Sequence, residues 1–192
     1  MAKVAFVLGD DFEDSEFKVP YDRIREAGHK VTVVGTEANK EVKGKKGKEK
    51  FTPEAAPGDV NADQFDAVVI PGGYSPDKIR TDEGIVALVQ KIYGADKPVA
   101  AICHAGSLLI EADAVRGKRV TSWPSIRTDL INAGAHWVDE VVVEDANLIT
   151  ARKPEDLPLF SEAILRQLEG RIPARLSPPM APEGPTPAPP VH

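Results

Sequence analysis

An α/β fold built on a doubly wound, mostly parallel sheet is predicted by three observations. The runs "KVAFVL" (3–8), "KVTVVG" (30–35), "DAVVIPGG" (66–73) and "KPVAAIC" (97–103) are continuously apolar, as strands covered on both faces are. Segments with helical apolar spacing separate them, which is the alternation that βαβ units require. The 192 residues, 42% hydrophobic and 28% charged, suffice for one α/β core and fall short of two full-sized domains.

Taken in order, the first two strands flank a segment in which Phe17, Tyr21 and Ile24 share a helical face and Gly28 supplies the stop. Pro20 falls inside it, so a kink or a late start is expected. The basic run "KGKKGKEK" (43–50) reads as a solvated hairpin or loop, with an anion site as the less favoured alternative. After the third strand, Asp82 stands near the start of a helix whose Ile85, Leu88, Val89 and Ile92 face one way. The fourth strand leads to a helix through "AGSLLIEAD". A strand near "KRVTS", a helix through "SIRTDLINAG", a hairpin around "WVDEVVVEDANLITAR" and a last helix with Leu157, Phe160, Ile164 and Leu168 aligned complete the pattern. Proline density then predicts an extended tail of polyproline character, placing a domain at 1–172 and a tail at 173–192, expected to lie against a neighbouring subunit.

Composition narrows the function. A net charge of -6 disfavours a general nucleic-acid binder, and no run approaches a membrane span or a secretory leader. The expectation is a cytoplasmic protein with no membrane or nucleic-acid partner. The single cysteine, Cys103, forms no internal disulfide, and without Cys/His clusters neither a metal nor another cofactor is expected.

Ligands of an open parallel sheet sit beyond the carboxyl ends of its strands. There the first strand runs into "GDDFEDSE", the third into "PGGYSPDK" and the fourth into Cys103-His104. The strand-Cys-helix order resembles a nucleophile elbow, and a helix start favours thiolate. Each residue also has a plainer reading, which the sequence leaves open. Cys103 could be core filler, His104 a histidine satisfied at a helix start, Gly72-Gly73 merely a turn, and Glu13 one of several solvated or capping carboxylates.

Together, "FEDSE", "GHKVTVVG", "FDAVVIPGGYSPDKIR", "KPVAAICHAG", "VRGKRVTSWPSIRTDLINAGAHWVDE" and "NLITARKPEDLPLF" resemble the DJ-1/PfpI superfamily, within it the PfpI (intracellular protease I-like) branch, over roughly residues 3–170. The resemblance implies a flavodoxin-like, class I glutamine amidotransferase-like sandwich with Cys103 as nucleophile and His104 beside it. It implies that Glu13 hydrogen-bonds the thiol, that Gly72 and Gly73 line the oxyanion site, and that Asp77 reaches the histidine from a neighbouring subunit of a homo-oligomer, a dimer or a hexamer. Asp77 stands where protease members commonly have glutamate, and Trp123 where a tyrosine is frequent.

The function so implied is a stress-associated cysteine hydrolase. Its substrates would be peptides, glycated proteins or small aldehydes, through peptidase or deglycase/glyoxalase-like chemistry. The alternative is a redox sensor or chaperone whose one cysteine is oxidised to sulfenic or sulfinic acid.

Overall fold

The computed structural model describes residues 1–170; the expected tail at 173–192 lies outside the described residues. In chain order the elements are β1 (Lys3–Val7), α1 (Asp14–Glu26), β2 (Lys30–Val34), β3 (Val42–Lys43), β4 (Lys50–Phe51), β5 (Ala67–Ile70), α2 (Ser75–Ile79), α3 (Glu83–Gly94) and β6 (Val99–Ile102). There follow α4 (Gly106–Glu111), β7 (Arg119–Val120), α5 (Arg127–Asn132), β8 (His136–Trp137), β9 (Val142–Asp145), β10 (Leu148–Ala151) and α6 (Leu157–Leu168).

The main sheet has six strands in the order β2-β1-β5-β6-β10-β9. Every pair is parallel except β10–β9, the hairpin expected near residue 145. The pleat sends alternate residues to opposite faces. Val4 and Phe6 pack with Phe17, Ile24, Phe160 and Ile164 of α1 and α6. Ala5 and Val7 pack with Ile85, Val89, Leu108 and Leu109 of α3 and α4. Helices thus cover both faces, which is why the strands read as unbroken apolar runs. Asp82 caps α3, its side chain accepting the Ile85 amide at 2.9 Å.

Two local expectations need adjustment. Helix α1 begins at Asp14 and carries on through Pro20, so the expected late start does not occur. Pro20 cannot donate to the carbonyl four residues earlier, but its ring is buried on the same face as Phe17 and Ile24, and that packing holds the helix together. Residues 43–50 do form a turn between β3 and β4, but the turn is anchored rather than freely solvated. The Asp14 carboxylate accepts from the Lys46, Lys48 and Glu49 amides at 2.9, 2.8 and 2.8 Å. Among the described residues no helix is long and apolar enough to cross a membrane.

Candidate active site

Strand β6 stops at Ile102 in extended geometry, and Cys103–Ala105 forms a single tight turn leading straight into α4. This forces Cys103 to φ 64°, in the left-handed region, a conformation that costs a non-glycine residue about 1–2 kcal/mol. A merely space-filling cysteine gains nothing from that strain; it aims the side chain out of the sheet.

The Pro71-Gly72-Gly73 segment crosses directly over the elbow. A Cβ on Gly72 would lie 2.7 Å from the Cβ of Cys103 and 2.5 Å from Oε2 of Glu16. Gly73 has φ 78°, and a Cβ there would lie 2.5 Å from the carbonyl oxygen of Asp11. Both glycines are therefore required by close backbone approach and not by a turn alone. The amide of Gly72 donates to Glu16 Oε2 at 2.9 Å, so it is not free for an oxyanion as expected. The amides directed at the sulfur are those of Gly73 and His104, and both favour its anion. The amides that reach the sulfur are thus those of Gly73 and His104, while that of Gly72 is taken by Glu16.

The carboxyl beside the thiol also differs from expectation. Glu13 is the residue preceding α1, and its carboxylate, itself buried, pairs with Lys45 Nζ at 2.8 Å and Lys46 Nζ at 2.6 Å. Glu16, in the first turn of α1, points inward and is wholly buried. One oxygen takes the Gly72 amide; the other, Oε1, is buried without a hydrogen-bond partner, and Glu13, the Cys103 thiol and Lys45 all act on the charge of this carboxyl. Glu16 lies inside the helix whereas Glu13 precedes its first residue in extended geometry, so the point at which the helix begins decides which of the two faces the sheet. No pattern in "FEDSE" marks that point.

Burial pushes the Glu16 carboxyl up to about 8, so it is protonated at neutral pH. Burial also pushes the Cys103 thiol up to about 12, the Glu16 charge adding to the effect and the His104 and Gly73 amides opposing it. The expectation that the helix start alone would favour thiolate is corrected accordingly: α4 has only six residues, and desolvation outweighs its dipole. Both groups therefore hold their protons at neutral pH. When Glu16 keeps its proton, its repulsion on the sulfur disappears and its O–H is available to a thiolate.

His104 Nδ1 stands 3.2 Å from Sγ, and Nε2 stands 3.1 Å from the Ser125 hydroxyl. Burial lowers the pKa of the ring, with the Lys45 charge adding to the effect, so the imidazole is neutral and can accept a proton. Asp77 is exposed on α2 and is not a hydrogen-bond partner of His104; within one chain Ser125 holds that position. Ser125 lies in the 3-10 turn Pro124–Ile126 that follows Trp123, and nothing in the sequence singled it out. The Trp123 ring lies 6.3 Å from that of His104, 39% exposed at the rim.

An elbow cysteine under a double-glycine crossing, with a buried carboxyl and an adjacent histidine, coincides with a family-level match. The DJ-1/PfpI family model covers residues 2–167. The chain belongs to the DJ-1/PfpI family. It is 45% identical over 167 residues to "Protein/nucleic acid deglycase 2" of Escherichia coli, covering 86% of this chain and 97% of that protein. It is 47% identical over 168 residues to "General stress protein 18" of Bacillus subtilis, covering 87% and 98%. Among solved structures, DJ-1beta of Drosophila melanogaster superposes with a TM-score of 0.81 at 32% identity, covering 88% of this chain and 91% of that one. The fold is accordingly that of the DJ-1 neighbours, the class I glutamine amidotransferase-like sandwich.

Proposed function

We propose that this chain is a stress-associated, cysteine-dependent enzyme that attacks carbonyl groups, of deglycase/glyoxalase-like or peptidase type. The observation that carries the reading is the left-handed Cys103 elbow held against a buried, protonated Glu16. The similarity to a deglycase and to a stress protein supports it. In the first step the sulfur pair forms the S–C bond and the carbonyl π pair moves to oxygen, facing the Gly73 and His104 amides. The thiol proton passes to His104 Nδ1. With an aldehyde, His104 returns that proton to the oxygen and the product is a hemithioacetal. With an amide, collapse of the adduct expels the amine, which takes the proton from His104, and water hydrolyses the thioester.

The active form in this reading is a homo-oligomer, a dimer or a hexamer, with the site near an interface and Asp77 contributed by a second copy. The exposure of Asp77, Tyr74 and Trp123 around the mouth supports that arrangement.

The test compares wild type, Cys103→Ser and Glu16→Gln on methylglyoxal, a methylglyoxal-glycated peptide and fluorogenic peptides. Cys103→Ser loses about 100-fold or more in kcat/KM on at least one substrate class, and Glu16→Gln about 10-fold or more. Equal rates for wild type and Cys103→Ser on all three overturn the enzymatic reading. The sensor reading has its own support, a sole cysteine beside a carboxyl able to donate to an oxidised sulfur. It is then favoured if peroxide adds one or two oxygens to Cys103 while no substrate turns over.

A further inference from the structure

The turn at 43–50, read from sequence as a solvated hairpin or loop with an anion site as the less favoured alternative, brings an ammonium group to the loops around the thiol. The Lys45 amide donates to the Phe12 carbonyl at 2.8 Å, and Phe12 bridges both Gly44 and Gly73. The Tyr74 amide donates to the Asp11 carbonyl at 2.8 Å, closing the same network. The backbone that carries Lys45 is thereby joined to the Gly72-Gly73 crossing above Cys103. The Lys45 Nζ lies 2.8 Å from Glu13 Oε2 and 5.9 Å from the centre of the exposed Tyr74 ring.

Glu13 places one oxygen on each of Lys45 and Lys46, and the Asp14 carboxylate also faces Lys46, so Lys46 has a second anion beside it and does not depend on Glu13 alone. The other titratable groups facing Lys45 are Glu16, Cys103 and His104, and while Glu16 and the thiol are protonated and His104 is neutral, none of these three sets a second negative charge beside Lys45. Because Lys46 keeps Glu13 neutralised, Lys45 can leave it for an incoming anion without stranding a buried carboxylate.

We propose that Lys45 is a specificity-determining residue of the thiol site, selecting substrates that carry a carboxylate or phosphate next to the reactive carbonyl. This deepens the carbonyl-enzyme reading and rests on it for the word substrate, but the ammonium's preference can be measured without turnover. Iodoacetate and iodoacetamide alkylate the same thiolate, the sulfur forming an S–C bond as iodide leaves, and differ chiefly in charge. The ratio of their rates, followed by intact mass, therefore cancels thiol pKa and access.

Lys45→Met lowers the iodoacetate/iodoacetamide ratio about fivefold, Lys45→Arg retains it, and Lys46→Met, with the same change in net charge, moves it less than half as far on a logarithmic scale. An unchanged ratio in Lys45→Met, or an equal fall in Lys46→Met, overturns the proposal. On turnover substrates, Lys45→Met raises KM for a carboxylate-bearing carbonyl more than for a neutral one; an equal rise for both also overturns it. If wild type turns over neither, the enzymatic reading falls while the alkylation ratio still decides the role of Lys45.

Discussion

At Cys103 the backbone is held at φ 64° and the thiol, its pKa raised by burial, faces a wholly buried glutamate that raises it further. The strain has a measurable consequence: Cys103→Gly is more stable than Cys103→Ala by about 1 kcal/mol in urea denaturation, because only glycine adopts this region without penalty. Glu16 carries a pH signature. Its folded value of about 8 lies above the ordinary 4.5, so between the two the folded chain retains a proton that the unfolded chain releases. Its contribution to stability is fully present below the unfolded value and is lost as pH rises through the folded one. The fall in Tm between about pH 5 and about pH 8.5 is therefore smaller in Glu16→Gln than in wild type, an effect on the order of a few kcal/mol. Ser125→Ala removes the hydroxyl at His104 Nε2 and lowers kcat about 10-fold with little change in Tm, provided His104 is the proton acceptor. A Tm fall matching the loss of activity would instead make Ser125 structural.

At the scale of elements, the start of α1 and the turn between β3 and β4 form one unit. Burial works against ionisation of Asp14, but the Glu49, Lys46 and Lys48 amides overcome it and hold the carboxyl below its ordinary 3.8. That stability is present above the unfolded value and is lost as pH falls through the folded one. Asp14→Ala costs about 2 kcal/mol and leaves three amides seeking water. Hydrogen exchange of the Lys46, Lys48 and Glu49 amides then accelerates, and the preference for iodoacetate falls because Lys45 loses its anchorage. Unchanged exchange would show that the turn is held by other contacts. This unit was only half legible in sequence. A basic, glycine-containing turn was visible, whereas the buried acceptor 32 to 35 residues away was not.

For the whole molecule, the continuous apolar runs gave the sheet away, since parallel strands covered on both faces leave no polar alternation. The carboxyl-end rule then brought three loops to one crevice, which is where the structure has them. In the proposed oligomer, a site that draws Asp77 from a second copy loses activity on dilution. Activity per chain falls in step with the loss of oligomer in sedimentation, and Asp77→Ala lowers kcat/KM about 10-fold. Constant activity from an isolated monomer would dispose of that arrangement.

By itself the sequence determined the layered α/β class, the order of its principal strands and helices, and the placing of Cys103, His104, Gly72 and Gly73 at strand ends. Those properties follow from periodicity and chain connectivity, which are local. Only the tertiary structure decided that Glu16 and not Glu13 faces the sulfur, that Gly72 gives its amide to that carboxyl, and that Ser125 and Lys45 arrive beside His104 and the thiol. Those outcomes depend on the phase of a helix start and on contacts between residues distant in the chain, where one residue of offset changes which carboxyl meets the sulfur.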